Sequence, residues 1–133
     1  MYDMYQENIL DHYRNPRNFG SLAKPDMEAV DYNPLCGDKI TMGIKIKDGK
    51  VIEIMFSGEG CAISQASASM LTEAVKGKST EEASEFSKDD MLELLGIPVS
   101  ASRIKCALLG LKVFKLVLYG FLGKSLSDKE ELG

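Results

Sequence analysis

Three cysteines and one aspartate are the residues with the clearest chemical potential in this chain of 133 residues. Cys36 and Asp38 lie two positions apart on either side of Gly37, within the stretch Asn33-Pro34-Leu35-Cys36-Gly37-Asp38. Pro34 fixes its own φ, and Gly37 permits backbone angles that let the thiol and the carboxylate point at a common centre. The pair therefore predicts two metal ligands held in a turn, with the remaining ligands supplied from elsewhere in the chain.

Cys61 and Cys106 are the candidates for the missing ligands. Cys61 lies at or just before the predicted start of one helix, and Cys106 lies near the first turn of another. Helix starts favour thiolates because backbone N–H groups and the positive end of the helix dipole are directed at the sulfur. Three thiolates and the Asp38 carboxylate make four ligands, which suits a tetrahedral zinc ion or an iron–sulfur centre.

Two plainer interpretations stay open at this point. In the first, the three cysteines are ordinary small buried side chains. This interpretation stays open because separations of 25 and 45 residues match no short ligand signature. In the second, the residues form a permanent structural zinc site. Such sites favour thiolate and imidazole ligands over carboxylate, so Asp38 indicates a site built to open. His12, the only histidine, is predicted to lie at the surface or at a helix cap and is not counted as a ligand.

An N-terminal helix is predicted over residues 2–14. Tyr5, Ile9 and Tyr13 recur at a spacing of four, with Leu10 beside them, and these side chains are expected to form its apolar face. The helix should end before Pro16, because the residue that precedes a proline disfavours the helical conformation.

Alternating side chains predict a small antiparallel sheet in the first half of the chain. The alternation is clear over residues 39–47 and weaker over 27–32. Asp48-Gly49 predicts a tight hairpin turn into a strand over 51–56, whose alternation places Ile52, Ile54 and Phe56 together. A glycine-rich bend is expected over residues 57–61.

Helices are predicted over most of the second half, at residues 62–76, 80–86, 88–95 and about 104–119. The Ala/Ser-rich start of the first is expected to allow close approach to the sheet. The last is strongly apolar, with Lys112 and Lys115 as its main polar residues, and is expected to be core. Residues 123–133 are polar and are predicted to form a frayed tail of a single domain that spans 1–133.

Composition and charge narrow the function classes. Sixteen basic and twenty acidic residues give a net charge of −4, which argues against nucleic acid as a partner. The apolar stretch Ala107–Phe121 is interrupted by two lysines and is shorter than the ~20 residues that span a bilayer, so no membrane association is expected. An odd cysteine count and a start without signal-peptide features favour a reducing compartment, and the predicted location is cytoplasmic.

Three cysteine motifs, in order along the chain, resemble those of the NifU N-terminal, IscU and SufU family of iron–sulfur cluster assembly scaffolds. The motifs are residues 33–38, residues 58–64 with 66–69, and Arg103-Ile104-Lys105-Cys106. The segment Asp11-His12-Tyr13-Arg14-Asn15-Pro16-Arg17-Asn18 is similar to the N-terminal segment of the same family. The resemblance spans most of residues 2–120.

The resemblance implies an α+β fold in which a three-stranded antiparallel sheet packs against several helices, in agreement with the periodicity. It implies a scaffold rather than a turnover enzyme, which accepts sulfane sulfur from a cysteine desulfurase, combines it with iron and passes a transient [2Fe–2S] cluster to acceptor apoproteins. By the same resemblance, Cys36, Cys61 and Cys106 are cluster or zinc ligands and persulfide acceptors. Asp38 is the labile fourth ligand.

Two departures from the family pattern bear on the function. Lys105 stands where the IscU branch has a histidine, and its protonated amine is a poor ligand, so this motif resembles the SufU branch. A zinc-dependent sulfurtransferase that relays persulfide sulfur and stimulates its desulfurase is therefore the alternative function, although the insertion usual in SufU-like proteins is lacking. Residues 96–102 only partly resemble the segment that the IscU branch offers to an Hsp70-type chaperone, so dependence on that chaperone is not expected.

Overall fold

The computed structural model of the chain describes residues 2–34, 37–96, 98–101 and 103–123. In chain order, the elements are α1 (Tyr2–Arg14), β1 (Met27–Asn33), β2 (Asp38–Lys47), β3 (Lys50–Glu59), α2 (Ala62–Val75), α3 (Thr80–Ser84), α4 (Lys88–Leu95) and α5 (Ile104–Leu122). The strands pair in the order β1-β2-β3, and both pairs are antiparallel. The predicted α+β class and sheet are confirmed, while the predicted frayed tail lies, from residue 124 onward, outside the described residues.

The β2–β3 hairpin turns at Asp48-Gly49, as predicted. Asp48 and Gly49 have φ values of 53° and 74°. Two successive residues with positive φ are typical of a turn whose twist matches that of antiparallel strands. The dipeptide therefore fixes where β2 ends and β3 begins.

A bulge in β3 changes which side chains face the core. Ile46 pairs with Val51 and Lys45 pairs with Glu53, so Ile52 has no partner directly opposite it on β2. Val51 and Ile54 are both fully buried, whereas Ile52 is exposed. The predicted alternation, which grouped Ile52 with Ile54, is wrong at Ile52 because one extra residue reverses the facing of a strand.

The end of β3 lies further along the chain than predicted. Residues 57–59 were expected in a bend, but Gly58 and Glu59 continue the pairing opposite Ile40 and Lys39. A Cβ at position 58 would lie 2.1 Å from the Lys39 carbonyl oxygen. This glycine therefore marks a close approach of two strands, and the bend itself is confined to Gly60 and Cys61.

The buried face of α1 differs from the predicted one. Ile9 and His12 are buried against the core, whereas Leu10 and Tyr13 are 36% and 44% exposed. The prediction that Leu10 and Tyr13 form the apolar face is wrong, as is the surface position expected for His12. The side chain of Tyr5 lies outside the described part of the chain.

A polar partner on α2 explains why a histidine is buried here. His12 Nδ1 lies 2.8 Å from Ser69 Oγ, and its Nε2 lies 3.9 Å from a Glu73 carboxylate oxygen. Burial lowers the pKa of His12 and the Arg17 guanidinium lowers it further, against the smaller effects of Glu73 and Asp11. The structure therefore favours a neutral imidazole that joins α1 to α2.

Helix α2 lies at the centre of the molecule, in contact with α1, α5 and the sheet. Ala68 of α2 makes a close helix–helix contact, because a Cβ at Gly110 of α5 would lie only 3.1 Å from it. Helix α2 also contacts β2 and β3, and the close approach to the sheet expected of its small side chains stays a prediction.

Helix α5 is core, as predicted. Its two lysines differ, however: Lys112 is exposed and lies 3.1 Å from Asp31, whereas Lys115 is buried and its Nζ donates to the carbonyl oxygen of Ser84. Among the described helices, none is long and apolar enough to cross a membrane.

Candidate metal centre

Three of the four predicted site residues come together in the fold. One carboxylate oxygen of Asp38 and the sulfur atoms of Cys61 and Cys106 all lie within 4.8 Å of one another. Asp38 is the first residue of β2, Cys61 is the N-cap of α2, and Cys106 is the third residue of α5. The fourth predicted residue, Cys36, lies outside the described residues.

The β1–β2 connection places Asp38 at the centre. Asn33 and Asp38 are paired across the two strands, and the Gly37 N–H donates to the Asn33 carbonyl at 2.8 Å. Gly37 has a φ of 74°, a conformation that glycine adopts without the steric cost other residues incur. The carboxylate that follows is completely buried.

Asp38 also holds the start of α2 in place. The Cys61 N–H donates to Asp38 Oδ1 at 2.8 Å, and the Cys61 thiol sulfur lies 3.8 Å from Oδ2. Gly60 makes this possible, because a Cβ there would lie 2.1 Å from Asp38 Oδ1 and its φ is 137°. One carboxylate oxygen is thus fixed by a backbone hydrogen bond, and the other faces the sulfur.

Each described cysteine sulfur accepts an N–H hydrogen bond. The Ser64 backbone N–H donates to Cys61 Sγ at 3.5 Å, in the manner of an N-cap. The Asn33 side-chain amide donates to Cys106 Sγ, also at 3.5 Å. Both donors are therefore placed to hydrogen-bond a metal-bound sulfur, which can only accept. The sequence alone assigns no role to Asn33, although its place at the start of the first cysteine motif is the available signal.

The donor set fits a zinc or iron ion. With bonds of about 2.3 Å to sulfur and about 2.1 Å to oxygen, tetrahedral ligands would have sulfur and oxygen about 3.6 Å apart. The observed separation of 3.8 Å between Cys61 Sγ and Asp38 Oδ2 is close to that value. Lys105 is exposed at the surface beside Cys106, which agrees with a solvated helix-start cation.

A cleft of about 460 Å³ opens next to the centre. Its lining consists of Tyr13, Pro16, Phe19, Gly58, Glu59, Gly60 and Gln65. Cys61, which follows Gly60, is partly exposed, whereas Cys106 is fully buried. Of the two described sulfur atoms, Cys61 is therefore the more accessible to a second molecule.

Comparison with known proteins identifies the family. The family model described as the NifU-like N terminal domain matches residues 4–128. The chain therefore belongs to the NifU-like N-terminal domain family, and the resemblance read from the cysteine motifs is confirmed.

Relatives in this family carry two kinds of name. The chain is 43% identical over 131 residues to the zinc-dependent sulfurtransferase SufU of Bacillus subtilis, covering 84% of this chain and 87% of the relative. It is 38% identical over 125 residues to the iron–sulfur cluster assembly scaffold protein IscU of Escherichia coli, covering 90% and 95%. The solved N-terminal structure of a nitrogen-fixing NifU-like protein from Brucella abortus has a TM-score of 0.75 and 26% identity, covering 92% and 97%.

Proposed function

We propose that this protein is a scaffold for iron–sulfur cluster assembly. It accepts sulfane sulfur from a cysteine desulfurase, combines it with iron and passes a transient [2Fe–2S] cluster to acceptor apoproteins. Asp38, Cys61 and Cys106, together with Cys36, hold the iron that is its cargo. The observation that carries the proposal is the convergence of three metal-binding side chains from three separate elements within 4.8 Å.

Sulfur transfer begins at Cys61 in this proposal. Its thiolate attacks the outer sulfur of the desulfurase persulfide, a new S–S bond forms on Cys61, and the desulfurase cysteine leaves as a thiolate. Among the described cysteines, partial exposure and the N–H of Ser64 support Cys61 over the buried Cys106. Cluster formation then needs a reductant to convert the sulfane sulfur to sulfide.

Asp38 makes the site temporary. A carboxylate oxygen is a hard ligand and binds iron in a sulfur-rich site less persistently than a fourth thiolate would. Because Oδ1 already accepts the Cys61 N–H, Oδ2 is the oxygen available to a metal. A single oxygen ligand can be displaced while the hydrogen bond keeps the carboxylate in place.

Anaerobic reconstitution tests the proposal. The chain is incubated with a cysteine desulfurase, cysteine, ferrous iron and a thiol reductant, and cluster formation is followed by visible absorption and by iron and sulfide content. We expect two irons and two sulfides per cluster, and strong loss of absorption in Cys61→Ser and Cys106→Ser. Equal cluster content in both serine variants and the unsubstituted chain would contradict the assignment.

A zinc-dependent sulfurtransferase is the second candidate function. The Bacillus relative that bears this name is 43% identical, and Lys105 stands where the IscU branch has a histidine. The same donor set holds zinc, which when bound would keep the thiolates grouped. Desulfurase turnover that rises with added zinc-loaded chain, without any cluster on the chain, would favour this candidate over the scaffold.

A further inference from the structure

Asn33 is a buried polar residue that contacts the candidate centre through Cys106. Only 5% of Asn33 is exposed, and its Nδ2 lies 3.5 Å from Cys106 Sγ. Its backbone carbonyl accepts the Gly37 N–H, and the residue pairs with Asp38 across the strands. Asn33 therefore links the end of β1, the turn before Asp38 and the first turn of α5.

The direction of the Asn33–Cys106 hydrogen bond follows from chemistry. A metal-bound thiolate carries no proton and can only accept, and the side-chain N–H₂ is the only donor that an asparagine side chain offers. The neighbouring sulfur is treated alike, since the Ser64 N–H donates to Cys61 Sγ at the same distance of 3.5 Å. A metal-bound thiolate accepts a hydrogen bond more strongly than a neutral thiol, so metal binding should strengthen the Asn33–Cys106 hydrogen bond.

We propose that Asn33 is a positioning residue of the metal centre, whose side-chain N–H donates to the metal-bound sulfur of Cys106. The inference rests on the proposed function. Three thiolates and one carboxylate place more negative charge around a divalent ion than the ion neutralises, and an amide dipole directed at a sulfur offsets part of the excess. Hydrogen bonds to ligand sulfurs also tune the metal and fix ligand direction.

Cobalt binding to the metal-free chain tests this role, because Co²⁺ reports on thiolate ligands through its absorption. Asn33→Leu removes the donor and keeps the number of side-chain heavy atoms, and Asn33→Ala removes it with a loss of volume. In both, we expect the thiolate-to-cobalt charge-transfer band to move to lower energy, since the sulfur becomes more electron-rich. The Co²⁺ affinity should fall by about 10- to 100-fold, as for other outer-sphere partners of metal ligands.

Asn15→Leu makes the same chemical exchange at an exposed residue and should leave both measurements unchanged. Circular dichroism of the metal-free variants checks that they fold, and agreement between the leucine and alanine variants excludes a packing effect. Unchanged band position and affinity in both would overturn the role of Asn33 while leaving the metal centre intact. A native chain that binds no Co²⁺ with thiolate charge-transfer bands would overturn the proposed function and this inference with it.

Discussion

Asp38 has two separable roles at the scale of a single residue, because its two oxygens have different partners. Oδ1 accepts the Cys61 N–H at 2.8 Å, and Oδ2 faces the Cys61 sulfur. The first role is structural, since it holds the N-terminus of α2 against the start of β2. The second belongs to the proposed function, in which Oδ2 would bind iron. Substitutions can separate the two.

Asp38→Ala should make a bound cluster longer-lived. Its loss removes the hard oxygen ligand and leaves a position that a small thiol in the buffer can fill with a more persistent sulfur. We expect the visible absorbance of the cluster to decay about tenfold more slowly during transfer to an apo-acceptor, which corresponds to about 1.4 kcal/mol in the barrier.

Asp38→Asn is the matched control. Its amide oxygen can still accept the Cys61 N–H, but the uncharged amide is a weak iron ligand. Slower decay in both variants would mean that loss of the ligand is the cause. Decay that is unchanged or faster in both would rule out Asp38 as the labile ligand.

Gly60→Ala should damage the centre more than a comparable glycine substitution elsewhere. An alanine at a strained positive φ costs about 1–3 kcal/mol of unfolding free energy, and the new Cβ would also lie 2.1 Å from Asp38 Oδ1. Gly77→Ala has the same kind of φ, 87°, but no atom within 4 Å of the added carbon. Urea denaturation should therefore show a larger loss of unfolding free energy for Gly60→Ala than for Gly77→Ala. Competition with a chelator should show a loss of about tenfold in zinc affinity for Gly60→Ala. Equal losses in the two variants would contradict the close approach of Gly60 to Asp38.

At the scale of elements, the buried histidine makes the α1–α2 contact sensitive to pH. The folded-state pKa of His12 is lowered, chiefly by burial, so the unfolded chain binds more protons once the pH falls towards the ordinary pKa of about 6.5. The contribution of His12 to the free energy of unfolding should thus be complete above about pH 6.5. It should decrease as the pH falls from there to the lower folded-state pKa. The pKa of Asp11 is also lowered from its ordinary value of 3.8, chiefly by a hydrogen bond from Arg17. Its effect on stability falls below about pH 4, outside the range in which His12 titrates.

His12→Asn tests this dependence, because an amide can replace the Nδ1 contact with Ser69 and does not titrate. Between pH 7.5 and pH 5, the free energy of unfolding measured by denaturation should decline less in the variant than in the unsubstituted chain. Parallel declines in the two proteins would show that His12 is not the group responsible.

The elements also show how far sequence reasoning reaches. Periodicity and helix-cap signals predicted every helix and strand described above, because amphipathic patterns, caps and the Asp48-Gly49 turn are local signals. Periodicity was wrong about which side of the element Ile52 and Tyr13 lie on. Ile52 is turned outward by a one-residue bulge, and Tyr13 is exposed because His12 is buried against Ser69. Both features depend on pairing with other elements. The grouping of Asp38, Cys61 and Cys106 came from their chemistry and the family motifs, whereas the roles of Asn33 and Gly60 required interatomic distances.

At the scale of the whole molecule, the cleft beside Gly60 is where we expect the desulfurase to approach. Tyr13 lines this cleft and is 44% exposed, and aromatic side chains of this kind often dominate binding energy. Tyr13→Ser should weaken desulfurase binding by about tenfold, or about 1.4 kcal/mol, in a titration calorimeter. Ile52→Ser, a substitution of a 39% exposed residue near the other end of β3, should have little effect. Equal weakening by both variants would exclude a specific role for the cleft.

The proposed scaffold builds a cluster and then transfers it to another protein. The most direct measurement is the transfer of a preassembled cluster to apo-ferredoxin under anaerobic conditions, followed by the circular dichroism of the ferredoxin, with an iron chelator present to remove free iron. We expect holo-ferredoxin to form despite the chelator and faster than from iron and sulfide alone. Absence of any transferable cluster, together with faster desulfurase turnover, would contradict the proposed function and identify a sulfurtransferase instead.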